Sequence, residues 1–79
     1  MKDLIEFVAK KLVGHPEDVQ VRCVEGESSQ NYELRVNPGD MGRIIGKNGR
    51  TAKALRTLVG SAAAKQDIEA SLEIVEVAE

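Results

Sequence analysis

The sequence predicts an α+β fold in the order α-β-β-α-α-β, a three-stranded mixed sheet with three helices on one face. Three observations predict it. Apolar residues recur at spacings of three and four over residues 2–13 and again over 50–65, the period of a helix, but alternate singly over 19–23 and 32–36, the period of a strand with one wet face. A short polar stretch, Gly26-Glu27-Ser28-Ser29, separates the two alternating segments and reads as the turn of an antiparallel hairpin. Residues 71–77 are rich in β-branched side chains, and the chain before them is long enough for a crossover. That last strand is therefore expected parallel to the second, through a right-handed connection.

In order, Leu4, Ile5, Val8, Ala9 and Leu12 form the core-facing stripe of the first helix. Gly14 supplies a left-handed residue to end it, and Pro16 prevents its resumption. Val19, Val21 and Cys23 alternate with Gln20 and Arg22, and Val24 breaks the alternation, which predicts a bulge. Tyr32, Leu34 and Val36 are the inward residues of the second strand. Asn37-Pro38-Gly39-Asp40 is turn chemistry, with Asp40 placed to cap a short helix beginning at Met41. In the long helix from Arg50 to about Lys65, Leu55, Leu58, Val59 and Ala62 share the core face, and Lys53 and Arg56 lie on the other side. Gly60 inside it costs about 1 kcal/mol against alanine, so the helix bends there or something packs close. Residues 66–70 connect to the third strand, 71–77, with Leu72 and Ile74 on one face.

The stretch from Met41 to Arg56 carries the function. With Asp40 it holds five cations (Arg43, Lys47, Arg50, Lys53, Arg56) and one acid, a local charge of +4; the chain totals −2, so the remainder carries −6. Gly46-Lys47-Asn48-Gly49 joins helix end to helix start, and glycine at both corners allows positive φ and close approach of a ligand. Free N–H groups at the next helix start, reinforced by Lys47 and Arg50, suit a phosphate oxygen. Ile44 and Ile45 point about 100° apart, so one packs inward and the other floors a groove for bases.

Ile44-Ile45-Gly46-Lys47-Asn48-Gly49 before an Ala/Leu-patterned helix resembles the Ile-Gly-x-x-Gly signature of KH domains. The order of elements resembles the bacterial-type (type II) arrangement over the whole chain, 1–79, read as a single domain. The resemblance implies a single-stranded RNA-binding module, with a post-transcriptional or RNA-chaperone role, whose loop clamps the backbone of about four nucleotides. Onto this sequence it carries Arg43, Ile44, Ile45, Gly46, Lys47, Asn48, Gly49, Arg50 and Lys53 as RNA-binding residues, the cleft being closed by the strand with Tyr32, Leu34 and Val36. Ala52 departs from the broader pattern, which has a larger aliphatic there, and this bears on the depth of the groove.

Other classes fit less well. The stretch from Gly42 lacks the spacing and the Ser/Thr after lysine that an ATP-binding loop needs. No nucleophile–base set or metal cluster is apparent, so neither catalysis, cofactor nor metal is expected. Phe7 and Tyr32 are the only aromatics, which excludes a stacking sheet and leaves base recognition to groove contacts and backbone hydrogen bonds. The rival reading is a protein-interaction or dimerisation subunit in which RNA binding is secondary; a helix-turn-helix DNA binder is disfavoured by the strands. Four nucleotides make a weak, unselective site, so pairing is expected, as a homodimer or with another KH-bearing protein. The small uncharged strip Thr57, Gly60, Ser61 and Ala64 is the candidate interface. No stretch is long and apolar enough to span a membrane. A single cysteine, Cys23, and no basic-then-apolar leader point to the cytoplasm.

Overall fold

The computed structural model describes residues 1–77. Helix α1 (Lys2–Leu12) leads through a 3₁₀ turn at Pro16–Asp18 into strand β1 (Gln20–Glu25), which turns back into β2 (Ser29–Val36). A second 3₁₀ turn, Pro38–Asp40, opens the short helix α2 (Met41–Ile45); the turn Lys47–Gly49 then leads into α3 (Arg50–Ala64), and the chain closes with β3 (Glu69–Glu76). The sheet order is β1-β2-β3, antiparallel between β1 and β2 and parallel between β2 and β3. The expected mixed sheet and element order are those observed, with β3 beginning two residues before the expected start, at Glu69.

The core lies between the sheet and the helices. Ile5, Leu34, Val36, Ile44 and Val59 are its fully buried large side chains, each contributing roughly 1.5–3 kcal/mol relative to exposure. The opposite sheet face is polar, with Arg22, Glu33 and Glu73 in one cross-strand row and Arg35 Nε donating to Glu33 Oε1 at 2.5 Å. α1 packs on the β1 side and α3 on the β3 side.

Several local expectations are corrected. In α1 only Ile5 and Ala9 are buried, while Leu4 and Leu12 lie at the margin of the core, 41% and 37% exposed. The buried stripe of α3 is Ala52, Leu55, Val59 and Ala63; Leu58 remains 39% exposed and Ala62 is only partly covered. Both stripes contain Leu55 and Val59, and only the sheet's location selects whether Ala52 and Ala63 or Leu58 and Ala62 are covered beside them. Gly14 is not left-handed: α1 ends through Val13 in extended conformation, and positive φ among glycines occurs at Gly46 and Gly49. β1 carries no bulge at Val24, which pairs in register with Asn31 and projects into solvent. No cross-chain neighbour explains Gly60, since a Cβ built there meets nothing within 4 Å and α3 runs through it.

Candidate nucleic-acid interface

The loop between α2 and α3 is held by backbone geometry that its sequence dictates. α2 ends as Gly46 N donates to Gly42 O (2.8 Å), with Gly46 at φ 76°, ψ 175°. Asn48 (φ 57°, ψ 27°) and Gly49 (φ 72°, ψ 13°) are left-handed, a conformation that asparagine and glycine adopt most readily. Gly49 N donates back to Gly46 O at 3.1 Å, closing the turn. The tip residues Lys47 and Asn48 are exposed. No side chain caps the start of α3; Arg50 N donates to Lys47 O within the turn, and the N–H groups that follow, with the positive end of the helix dipole, face outward beside the tip.

Among the described residues Lys47, Arg50 and Lys53 make no ion pair, and their side chains are exposed around this helix start. Arg43 differs. Its Nε lies 4.0 Å from Asp40 Oδ1, and its guanidinium reaches over Gly14, where a Cβ would sit 3.5 Å from Nη1. Arg43 is therefore partly neutralised and directed toward the end of α1 rather than the loop tip. Of the isoleucine pair, Ile44 is fully buried and holds α2 on the core; Ile45, 40% exposed, is the one that offers an apolar surface. Ile44 thus supports the site without presenting a side chain to it.

The strand beside the site is also corrected. Tyr32, Leu34 and Val36 belong to the central strand and are buried, so they cannot line a cleft. The free edge next to α3 is β3. Glu69 N and Val77 N donate toward the β2 side, to Ser28 O (3.0 Å) and Val36 O (2.9 Å). With the two-residue period, Ala70, Leu72 and Ile74 then turn their N–H and C=O groups to the open edge. Arg56, read from the sequence only as a member of the charged face, donates its Nε to Leu72 O (3.2 Å) and so clasps that edge to α3. Local spacing carries no signal for such a contact, because it joins residues on two elements.

Asp40 is the other finding that the sequence reading missed. It is 2% exposed, and its carboxylate does not cap α2 but accepts from Gly14 N (3.0 Å), His15 N (3.0 Å) and His15 Nδ1 (3.1 Å). The turn before α2 is capped instead by Asn37 Oδ1, which accepts from Gly39 N at 2.8 Å. Burial alone would raise the Asp40 pKa. The hydrogen bonds from the Gly14 N–H, the His15 ring and the His15 N–H, with attraction to the ring when charged, outweigh burial and hold it below its ordinary 3.8. Because the folded value is the lower one, this contribution to stability is present above the unfolded pKa and is lost as pH falls through the folded value. Thermal melting should therefore show a destabilisation below roughly pH 4 that is smaller in Asp40→Asn. Parallel pH profiles for the two proteins would show that the carboxylate does not carry this anchor.

A Gly-x-x-Gly loop between two helices, packed on a mixed sheet in the order α-β-β-α-α-β, defines a type II KH domain. The family described as "KhpA/KhpB, KH domain" matches residues 2–74, and this chain belongs to it. Among curated relatives, the RNA-binding protein KhpA of Clostridium perfringens is 53% identical over 75 residues, covering 95% of this chain and 100% of that protein. KhpA of Chlamydia muridarum is 47% identical over 76 residues, covering 96% and 97% respectively. The family is a KH-domain family and not an enzyme family. Among solved structures, Aquifex aeolicus Era bound to GDP and AlF4− superposes with a TM-score of 0.65 at 20% identity. Era in complex with MgGDPNP and a segment of 16S ribosomal RNA gives 0.62 at 20% identity. Each comparison covers 98% of this chain but 30% of the Era chain, and the likeness is one of fold.

Proposed function

We propose that this protein binds single-stranded RNA, clamping the phosphates of about four nucleotides on the Gly46–Gly49 loop. The observation that carries this reading is the uncapped start of α3, flanked by three exposed cations without an ion pair among the described residues. The relatives named RNA-binding protein KhpA support it over a purely structural subunit. In this reading Ile45 floors the groove, and the open edge of β3 at Ala70 and Ile74 offers backbone donors and acceptors to bases, while Arg56 holds that edge in place. The role is that of a post-transcriptional or RNA-chaperone regulator in the cytoplasm.

Salt dependence tests the electrostatic part. Three phosphates held by Lys47, Arg50 and Lys53 give a slope of log affinity against log salt of about −2 for single strands. Alanine at any one of the three should flatten it by about 0.7, whereas Arg43→Ala should flatten it less, its charge being shared with Asp40. A slope near zero would remove the basic face from the binding surface.

The module works as a pair, with a second copy or with another KH-bearing chain, because a site this small gains selectivity and affinity from valency; a tethered second site raises avidity about 10²-fold or more. The outer strip of α3 supports this. Thr57, Ser61 and Ala64 are exposed and uncharged, Gly60 leaves room for close helix approach, and Leu58 adds a half-exposed apolar side chain beside them. Gly60→Glu or Ala64→Glu should convert a dimer to monomer in light scattering and weaken binding of a long RNA more than of a four-nucleotide one. A monomeric unaltered chain at tens of micromolar would restrict pairing to a different KH partner.

A further inference from the structure

Arg56 does more at the open edge of β3 than hold it. Its Nε donates to Leu72 O at 3.2 Å, so one of the acceptors that this edge would show a base is already engaged. Among the described residues its Nη1 and Nη2 make no hydrogen bond or ion pair, and the side chain is exposed. A guanidinium is planar and carries only donors, so anchoring Nε holds the two terminal nitrogens in one plane beside that carbonyl. A strand acceptor is thereby replaced by a fork of donors. The geometry points to Arg56 as a specificity-determining residue that selects, at the middle of β3, a base offering two adjacent acceptors: the O6 and N7 of guanine or the O2 and N3 of cytosine. This inference rests on the RNA reading above and adds to it which bases the site prefers.

Two features set Arg56 apart from the phosphate-binding cations. The first is its place. With about 100° per residue, Arg50, Lys53 and Arg56 each step about 60° round the axis of α3. Arg50 and Lys53 surround the helix start, whereas Arg56, about 9 Å further along the axis, has turned onto β3. With phosphates held at the loop, what reaches the strand is a base. The second feature is the pattern of donors and acceptors. A bare strand edge at Leu72 would show one N–H and one C=O, which suits adenine, whose N6 amino group lies beside an acceptor nitrogen. Arg56 takes the carbonyl and leaves donors only, the Leu72 N–H and its own fork. The adenine amino group then meets donors, as does the N3–H that separates the two acceptors of uracil, and an unmatched polar group at the contact costs affinity. Guanine and cytosine instead offer paired acceptors on edges that a single strand leaves open. Lysine cannot do the same: its single charged nitrogen, once on the carbonyl, leaves no second donor group in a fixed plane.

The test scans one base through a short, labelled oligouridylate, with guanine, cytosine or adenine placed at each position in turn and affinity read by fluorescence anisotropy at fixed salt. The unaltered full chain should show a position where guanine or cytosine binds about five- to tenfold more tightly than adenine or uracil, and the two arms tell which acceptor pair is read. Arg56→Lys keeps the charge and should lose that preference while the slope of log affinity against log salt stays the same. Arg56→Ala uncovers Leu72 O and should turn the position toward adenine, whose amino group then finds an acceptor. Circular dichroism checks that both variants fold, and the lysine variant carries the test even where alanine loosens β3. A base preference that survives in Arg56→Lys would overturn the inference, as would an unaltered chain with no preference at any position. An equal loss on every RNA in Arg56→Ala, with the salt slope flattened by about 0.7, would also overturn it, because that is the mark of a phosphate contact. If the unaltered chain binds none of these strands, the RNA reading falls and this inference with it; if it binds them and Arg56 leaves the preference unmoved, the RNA reading stands and this inference falls.

Discussion

Replacing Lys47 and Asn48 together with aspartate is expected to abolish single-stranded RNA binding while leaving the fold intact. Both side chains stand in solvent, so stability should move by no more than about 0.5 kcal/mol. Asn48 sits at φ 57°, and aspartate shares asparagine's tolerance of left-handed backbone, so the turn survives the exchange. Binding does not. The charge at the tip shifts by −3, and repulsion replaces attraction where the phosphate would lie. Two unit charges about 4 Å apart interact by about 1 kcal/mol in bulk water and about 4 kcal/mol near a protein surface, so the loss should reach ~100-fold or more. Fluorescence anisotropy with a short labelled RNA, alongside circular dichroism, measures both outcomes. Full affinity in a folded double variant would sink the clamp.

The largest effect on stability is expected from Gly46→Ala. At φ 76°, ψ 175° the residue occupies a region that is essentially glycine's alone, where another residue costs roughly 1–3 kcal/mol. Space is missing as well: a Cβ at Gly46 would lie 2.3 Å from Thr51 Oγ1, 2.8 Å from Thr51 Cβ and 3.0 Å from Thr51 N. The backbone nitrogen cannot turn aside as a hydroxyl can, so the first turn of α3 must move. Strain and crowding together should cost roughly 2–5 kcal/mol. Gly49→Ala is the control. It needs a left-handed backbone at φ 72° but has nothing within 4 Å of its Cβ, so about 1–2 kcal/mol is expected. Urea unfolding separates the two variants. Equal losses would mean that the loop does not hold these angles.

Charge distribution explains how an acidic chain offers a site for an anion. The net charge of −2 hides a helix-loop-helix segment of opposite sign, and screening over about 8–10 Å at ordinary ionic strength lets that segment act locally. The remaining acids include Glu33 and Glu73 on the open sheet face, where they oppose non-specific anion binding away from the loop.

By itself the sequence determined the element order, the parallel pairing of β2 and β3, and the glycine loop with its cations, since each is written in local periodicity or in residues with special backbone freedom. It also determined that one isoleucine of the pair would be buried and the other free, because consecutive helical residues diverge by about 100°. Which one was buried needed the sheet: Ile44 faces it and Ile45 does not. The same physics governs the other corrections. Leu58 and Ala63 are both apolar and both within reach of the core side of α3, and the helix's rotation about its axis, set by packing on β3, buried Ala63 and left Leu58 out. Asp40 precedes a helix as a capping residue would, yet its carboxylate turned to the Gly14 and His15 N–H groups, 26 and 25 residues earlier in the chain. Arg43, which the sequence grouped with Lys47, Arg50 and Lys53 as RNA-binding, became the one held by Asp40, while Arg56 found a carbonyl on β3. Spacing along the chain decides which residues share a face, but only the meeting of faces decides which side chains are covered, which charges are neutralised and which are left for a ligand.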